Sequence, residues 1–183
     1  MKRVAMYKLV ELTFCLAIAV SALMLVPATM NYLELYVALS HMYLRINSFD
    51  IYPDSTGESG SAVVSANFSI VQNSSYAGLK ALSIDILVYY NESAGYSDIL
   101  FSRKFTVRDA RLGPHSSLDL ITANETYVEH FSLFADYNNQ SMARGDPVKL
   151  LFSSDINLYL LGSQSAETVY LDDVTYQMPY YVS

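Results

Sequence analysis

Two patterns of apolar residues divide the chain. From Leu12 to Met30, nineteen consecutive residues carry no charge, whereas from Met42 onward apolar and polar residues alternate in short runs between turn-forming residues. An uncharged stretch of that length forms a helix about 28 Å long, which matches the hydrocarbon core of a bilayer. Alternation with a period of two is typical of strands that bury one face. The sequence therefore predicts a transmembrane helix followed by a mainly β domain.

The flanking charges predict the orientation of this helix. Three basic residues precede it, and only Arg45 follows it closely. Because basic residues stay preferentially on the cytoplasmic side of a membrane, we expect residues 1–11 in the cytoplasm, 12–30 in the membrane, 31–42 as a juxtamembrane segment and 43–183 as an extracytoplasmic domain. The chain would then be a single-pass protein of the cell membrane. The three preceding basic residues are Lys2, Arg3 and Lys8.

A cleaved signal peptide is the alternative, because Val26 and Ala28 would suit a signal peptidase. We favour a retained signal anchor, since the chain stays apolar and aromatic beyond the span, and Tyr32 and Tyr36 suit an interfacial aromatic belt. Cys15 lies inside the span and lacks the small preceding residue of a lipoprotein cysteine. We therefore expect Cys15 to be a small apolar side chain without a lipid.

The alternating runs predict about seven strands, at spacings typical of a β-sandwich. The predicted strands are Tyr43–Tyr52, Ala62–Gln72, Leu79–Tyr90, Ile99–Val107, Ser117–Ala123, Pro147–Leu161 and Glu167–Met178. The predicted core faces include Leu82, Ile84, Ile86 and Val88 of the third strand, and Phe101, Arg103, Phe105 and Val107 of the fourth. Arg103 is then a charged intrusion on an otherwise apolar face.

One short helix is predicted between the fifth and sixth strands. Three aromatic residues there recur at spacings of four and three, which is the period of a helix face. We expect this helix to begin near Asn124 or Thr126 as its cap and to end by Asn139. The three aromatic residues are Tyr127, Phe131 and Phe134.

Charge and cysteine content narrow the functional classes. Between Asp50 and Asp173 the chain holds sixteen acidic and seven basic residues, a balance of about minus nine. A surface of that sign disfavours nucleic acid and anionic lipid as partners. Because Cys15 is the single cysteine, the outer domain must be stabilised by packing without a disulfide. This combination is typical of a prokaryotic surface protein, and we expect its partner at the cell surface to be a protein.

Five Asn-x-Ser/Thr triplets mark candidate N-glycosylation sites, and each would need an extracytoplasmic surface. Four of them lie in or beside predicted loops, whereas Asn67 lies in the middle of a strand on its polar face. The triplets therefore favour the outside assignment and make the protein a candidate glycoprotein. Their asparagines are Asn67, Asn73, Asn91, Asn124 and Asn139.

No motif predicts catalysis, a cofactor or a metal centre. His115 lies in a Gly-Pro turn and His130 on the predicted helix, and neither has a second histidine or a cysteine at the spacing of metal ligands. Ser116 and Ser117 lie beside His115 with Asp119 nearby, but there is no Gly-x-Ser-x-Gly elbow. We therefore expect these residues to be solvated rather than catalytic.

Neither of two charged clusters, one acidic and one basic, is predicted to be a binding site. Asp172 and Asp173 could join Asp50 or Asp54 around calcium, but their spacing matches no calcium-binding loop, so a solvated strand end is expected. The basic cluster is expected to pair with nearby acids rather than to form a docking patch. It consists of Arg103, Lys104, Arg108 and Arg111.

The chain has sixteen tyrosines and no tryptophan. Tyrosine has a high strand propensity and can keep its hydroxyl hydrated, which accounts for most of them. The alternative is a tyrosine-rich contact face, because tyrosine gives contact area at low entropic cost. Tyr180 and Tyr181, in the apolar C-terminal segment, are the candidate partner contact. The other strand or strand-end tyrosines are Tyr89, Tyr90, Tyr96, Tyr170 and Tyr176.

Four segments carry a family resemblance: Ala62–Asn73, Ile84–Asn91, Ala110–Ser117 and Val148–Gly162. Their order resembles the LEA-2 domain (late embryogenesis abundant type 2, or water-stress and hypersensitive-response domain), as found in membrane-anchored archaeal proteins. The resemblance spans about Leu44–Gln177. It implies an immunoglobulin/fibronectin-like β-sandwich of seven strands with a helix, and no enzymatic role.

These observations predict a non-enzymatic, membrane-anchored extracytoplasmic β-sandwich that acts as a structural or protein-interaction module. Two alternatives stay open. The first is a subunit of a pilin-type surface filament, in which the apolar N-terminus would pack as a helical core. Glu11 and the lack of a clear processing site between Lys8 and Leu12 disfavour it. The second is an accessory subunit of a membrane complex.

Overall fold

The computed structural model describes residues 2–53, 61–90, 98–128, 131–159 and 166–178. The chain divides into two compact units, Met1–Ser40 and His41–Ser183. The first unit is helical and the second is mainly β.

Helix α1 (Lys2–Ser40) forms the first unit. Its stretch Leu12–Ser40 is long and apolar enough to cross a membrane, although a signal sequence near an N-terminus has the same properties. Large apolar side chains along it, such as Leu23 and Met24, are each 73% exposed. The 29-residue stretch is about 43 Å long at 1.5 Å per residue. Helical structure therefore continues well beyond the predicted span, through most of the segment expected to be juxtamembrane.

Eight strands and a second helix form the described part of the second unit. They are β1 (Met42–Pro53), β2 (Ala62–Gln72), β3 (Leu79–Tyr90), β4 (Asp98–Leu112), β5 (Ser116–Val128), α2 (Phe131–Arg144), β6 (Val148–Tyr159), β7 (Ala166–Tyr170) and β8 (Val174–Met178). The strands pair antiparallel in two sheets. The first sheet has the order β1-β2-β5, and the second has the order β4-β3-β6 with β7 and β8 both beside β6.

Five phenylalanine rings join the two sheets. The ring of Phe152 on β6 lies 5.1 Å from that of Phe49 on β1 and 5.8 Å from that of Phe68 on β2, measured between centroids. Both contacts are edge-to-face, a geometry that the ring quadrupoles favour. From β4, Phe101 lies 6.2 Å from Phe49, and Phe105 lies 6.4 Å from Phe68. The core therefore lies between the sheets, and the predicted β-sandwich is confirmed.

The prediction that Leu82 faces the core is wrong. A register shift between Ala81 and Ser83 marks a β-bulge in the pairing of β3 with both of its neighbours. One extra residue changes the phase of the alternation. Ala81 is therefore fully buried before the bulge and Ile84 after it, whereas Leu82 is only half-buried. The other two predicted core residues of β3, Ile86 and Val88, are buried as expected.

The predicted start of the short helix is also wrong. Strand β5 continues to Val128, and its last residues pair with β2, where Val63 is opposite Tyr127. Helix α2 begins only at Phe131. The aromatic and β-branched residues at the end of β5 pair with β2. Such tertiary pairing overrides a local helical spacing. The two remaining aromatic residues of the pattern, Phe131 and Phe134, do lie buried on α2.

Helix α2 also ends later than predicted, at Arg144. Gly145 follows with a φ of 73°, in the left-handed region that glycine tolerates best. The N–H of Gly145 donates to the carbonyl of Met142 at 3.1 Å, and the N–H of Asp146 donates to that of Ser141 at 3.0 Å. This pair of bonds is a Schellman motif, which satisfies carbonyls at the helix end.

The predicted strand Glu167–Met178 is two strands. Strand β7 pairs with the second half of β6, and β8 pairs with the first half. Between them the N–H of Leu171 donates to the carbonyl of Ser154 at 2.9 Å, and Leu171 is buried. Asp172 and Asp173 complete the connection and are exposed. The polar pair thus interrupts the strand without separating it from β6.

Replacing Phe152 with alanine is expected to lower the free energy of unfolding by about 3 to 5 kcal/mol, because the change removes ring contacts to both sheets and leaves a cavity. Leu158→Ala, at a fully buried position of the same strand, should cost about 2 to 5 kcal/mol. Urea unfolding of the purified full chain in mild detergent, followed by circular dichroism, measures both losses.

The matched control for these substitutions is Tyr170→Ala, since Tyr170 is 80% exposed on β7. Its effect should stay within about 0.5 kcal/mol. A cost for Phe152→Ala as small as that of the control would contradict the position of Phe152 between the sheets.

Candidate functional site

A cleft of about 240 Å³ lies where the end of β3, the start of β4 and helix α2 meet. Tyr90 is the last residue of β3, and Asp98, its pairing partner, is the first residue of β4. The helix contributes residues three and four apart, which lie on one face of a helix. These are Leu133, Asp136, Tyr137 and Gln140.

Aromatic rings hold α2 against the end of β3. The ring of Tyr90 lies 5.7 Å from that of Phe134, nearly perpendicular at 89°, and 5.8 Å from that of Tyr137. Phe134 also contacts Phe131 and Tyr137 at 6.0 and 6.5 Å. The hydroxyl of Tyr137 accepts a hydrogen bond from the main-chain N–H of Lys149 at 3.4 Å. The wall of the cleft is therefore fixed to both β3 and β6.

The polar groups of the cleft have few partners. Tyr90 as a whole residue is only 5% exposed, but its hydroxyl is not among the buried polar atoms without a hydrogen-bond partner in the described part of the chain. Burial, and secondarily the charge of Asp98, raises the pKa of Tyr90 above its usual value of 10.0, so its hydroxyl keeps its proton at neutral pH. Neither Asp98 nor Asp136 forms an ion pair with another described residue. The cleft thus combines aromatic walls with two carboxylates and no balancing cation among its described lining.

A row of polar side chains crosses the outer face of the first sheet. The amide of Asn47 donates to the amide oxygen of Asn67 at 3.1 Å and to the hydroxyl of Ser69 at 2.7 Å. Ser69 in turn donates to a carboxylate oxygen of Asp119 at 2.7 Å. Arg45 donates to the amide oxygen of Asn47 at 3.1 Å. Asn67 and Asp119, both singled out in the sequence, are therefore parts of one cross-strand hydrogen-bond row.

His115 and Ser116 each bond to the loops around them. His115 is exposed, its Nδ1 lies 3.4 Å from the amide oxygen of Asn73, and its main-chain N–H donates to the carbonyl of Ser74 at 3.0 Å. The hydroxyl of Ser116 donates to the carbonyl of Gly113 at 2.7 Å. With Asp119 bonded to Ser69, the structure does not bring these side chains together as a triad. Ser117 is exposed on β5.

The described acidic residues that were weighed as calcium ligands are exposed to solvent. Asp172 and Asp173 are exposed between β7 and β8, Asp50 is exposed on β1, and Asp54 lies outside the described residues. Across the described ranges, no three His, Cys, Asp or Glu side chains are grouped closely enough to hold a metal ion.

Successive side chains of β4 point to opposite faces of the sheet, so the residues of the basic cluster do not lie together. Lys104 forms an ion pair with Asp85 at 3.1 Å. Arg103 shares the inner face with Phe101 and Phe105, as predicted, and its buried Nε has no hydrogen-bond partner among the described residues. Arg108 and Arg111 are exposed. The expected pairing with acids thus holds for Lys104 in the part of the chain that the structure describes.

The glycosylation triplets differ in accessibility. Asn73 is exposed after β2 and Asn139 is exposed on α2, whereas Asn67 is half-buried in the polar row. Asn124 lies on β5, and Asn91 lies outside the described residues. Use of any triplet stays a prediction. His130, Tyr96 and the candidate partner contact, Tyr180 and Tyr181, also lie outside the described residues.

Sequence reasoning did not find the cleft. The sequence predicts Tyr90 only as a strand tyrosine, and the structure packs its ring against α2. The available signal was the helical spacing of Leu133, Asp136, Tyr137 and Gln140, which gives α2 one face of mixed aromatic and polar character. Tyr176 is half-buried, and its ring lies 5.9 Å from that of Phe152.

Comparison with known proteins gives similar structures but no family. No protein-family model matches the chain, and no curated protein sequence matches it. A structural genomics target solved by X-ray crystallography is similar with a TM-score of 0.47 and 7% identity, covering 79% of this chain and 93% of that one. The ApaA protein of Bordetella pertussis is similar with a TM-score of 0.44 and 9% identity, covering 76% and 95%.

A late embryogenesis abundant (LEA) protein is also among the similar solved structures. Its TM-score is 0.38 at 13% identity, and the match covers 88% of this chain and 85% of that one. All three TM-scores lie below 0.5.

On the outer face of the second sheet, burial and charge also perturb the pKa of Asp155. Asp155 on β6 pairs with Asp85 on β3, which itself pairs with Lys104 on β4. Burial, followed by the charge of Asp85, raises the pKa of Asp155, while a main-chain hydrogen bond and Lys104 partly oppose the rise. The folded protein therefore holds a proton on Asp155 more tightly than the unfolded chain does, and this contribution to stability is lost as the pH rises through the raised pKa.

Asp155→Asn is expected to raise the free energy of unfolding at pH 7 by about 0.2 to 1 kcal/mol, since it removes a like charge opposite Asp85. The gain should disappear as the pH falls below the ordinary aspartate value of 3.8, where Asp155 is protonated in both states. Urea unfolding across this pH range measures the difference. Asp173→Asn, at an exposed turn position, is the control, and a destabilised Asp155→Asn at pH 7 would contradict the repulsion.

Proposed function

We propose that the chain is a non-enzymatic, membrane-anchored protein whose β-sandwich presents the cleft beside α2 to a partner outside the cell. The observation that carries this proposal is the division of the chain into an apolar helix and a separately packed β unit. The helix leaves its large apolar side chains exposed. Exposed apolar surface on that scale is stable when it contacts lipid or other apolar side chains rather than water.

The orientation follows from charge. The basic residues before the span keep the N-terminus in the cytoplasm, which places the acidic β unit outside. Exposed Asn73 and Asn139 are then the triplets best placed to carry a glycan. The resemblance of the sequence to membrane-anchored archaeal LEA-2 proteins supports the same arrangement.

An interaction role suits the polar chemistry better than catalysis does. The side chains that a triad would need bond to separate parts of the structure, with Ser116 on Gly113 and Asp119 on Ser69. The cleft contains carboxylates, phenols and an amide on a strand end and a helix. Groups held on such regular elements form precise contact surfaces.

A subunit of a surface filament is the second candidate function. The observation in its favour is the length of α1, because its apolar stretch of about 43 Å exceeds a hydrocarbon core of about 30 Å. In a filament the excess apolar surface would pack against other helices. Filaments that contain this chain, seen by electron microscopy of sheared cell surfaces, would favour this candidate over a lone anchor.

The topology is tested by protease added to intact cells that express the chain with one epitope before Met1 and another after Met178. The outer epitope should be digested and the inner epitope spared, and permeabilised cells should lose both. Protection of both epitopes in intact cells would contradict the outside position of the β unit. A mature chain that begins at Thr29, found by mass spectrometry, would instead contradict the anchor while leaving export intact.

A further inference from the structure

We infer that the cleft beside α2 binds an organic cation, meaning a guanidinium or alkylammonium group that carries apolar carbons. The inference rests on the proposed function and deepens it, because it names the chemical group that the presented site would recognise. Three features of the cleft carry the inference: its size, its aromatic walls and its unbalanced charge.

The size of the cleft suits a single side chain or a small ammonium compound. Its volume of about 240 Å³ lies below the roughly 300 to 1,000 Å³ of pockets that enclose drug-sized ligands. Leu133, which is 57% exposed, supplies an apolar edge at the mouth. Methylene or methyl groups next to a cationic nitrogen would lose water against this edge.

The aromatic walls are of the kind that attracts cations. Tyr90 and Tyr137 both line the cleft, and their ring centroids are 5.8 Å apart. A cation within about 6 Å of a tyrosine centroid is attracted by the ring quadrupole, and recognition of quaternary ammonium groups uses such aromatic walls. Contacts with Phe134 fix both rings before any ligand arrives, so little ordering is needed on binding.

The charge of the cleft selects for a positive ligand. Asp98 and Asp136 line it without an ion pair to any described residue. An anionic ligand would be repelled by both carboxylates, whereas a guanidinium or ammonium N–H could donate to them in a charge-assisted hydrogen bond. The acidic balance of the chain, minus 7 overall, strengthens the attraction of cations from solution.

The cleft also offers hydrogen-bond acceptors to a cation. Tyr90 and Gln140 both line it. The phenolic oxygen of Tyr90 and the amide oxygen of Gln140 could each accept a hydrogen bond from a guanidinium or ammonium N–H.

Isothermal titration calorimetry of the purified full chain in an uncharged detergent tests the inference. The cationic probes are N-acetyl-arginine methylamide and choline. Each probe has a neutral isostere as its control. For the arginine probe the control is the corresponding citrulline derivative, and for choline it is the alcohol in which a carbon atom replaces the nitrogen. At least one cation should bind at least about tenfold more tightly than its isostere. Added salt should lower the affinity of that cation.

Two variants connect such binding to the cleft. Asp136→Asn, at an exposed helix position, and Tyr137→Leu should each weaken the bound cation by about tenfold while circular dichroism stays unchanged. Asp173→Asn, in the exposed turn between β7 and β8, removes the same charge elsewhere and should leave the affinity unchanged. If Tyr137→Leu unfolds, Tyr90→Phe replaces it, because it removes only the hydroxyl.

The source of the cation follows from the two probes. Tighter binding of the arginine derivative indicates a basic side chain of a protein partner, and tighter binding of choline indicates a free quaternary ammonium compound. Equal binding of cations and isosteres, no binding of either cation, or affinity that survives both Asp136→Asn and Tyr137→Leu would overturn the inference. Because calorimetry does not depend on topology, such a failure is distinct from a failure of the protease experiment.

Discussion

The contact of Phe152 with rings from the opposite sheet is the interaction on which the β unit depends. The chain has a single cysteine, within α1, so no disulfide limits the unfolded state of the β unit. Burial of apolar surface between the sheets must therefore outweigh the loss of chain entropy. Phe152 touches Phe49 and Phe68 on separate strands. Its ring thus fixes the spacing of the layers and the relative position of β1, β2 and β6.

A second cluster of aromatic rings holds α2 against the sandwich. Tyr90 is the last buried residue of β3, and its ring contacts Phe134 and Tyr137 of the helix. The helix is held by these rings and by its capped C-terminus at Gly145. The face that carries Asp136 is therefore positioned by the sandwich itself.

Alternation predicted the strands well where pairing is regular and failed where it is not. On β3 the predicted core residues that follow the bulge, such as Ile84 and Val88, are fully buried. At Leu82 the alternation fails because a β-bulge depends on the registers of two neighbouring strands and leaves no local mark in composition. The helix start was missed for a similar reason, since Tyr127 is placed by its pairing with Val63.

The cleft could not be predicted from local patterns, because its parts come from distant segments. Asp98 and Asp136 belong to β4 and α2, and only the packing of α2 on Tyr90 brings them to one wall. The aromatic content of the helix face was visible, but its burial direction depends on where β5 ends. Spacing alone therefore indicated an amphipathic helix and could not indicate what it covers.

Charges and a bend in strand β4 affect whether one molecule can pair with another through its sheet edge. Strand β4 lies at the edge of the second sheet, where free main-chain groups could template pairing with another molecule. Its exposed Lys104, Arg108 and Arg111 oppose such pairing, and Arg108 breaks the extended line with a φ of 39°. A charged, bent edge of this kind disfavours edge-to-edge growth of a sheet from one copy to the next.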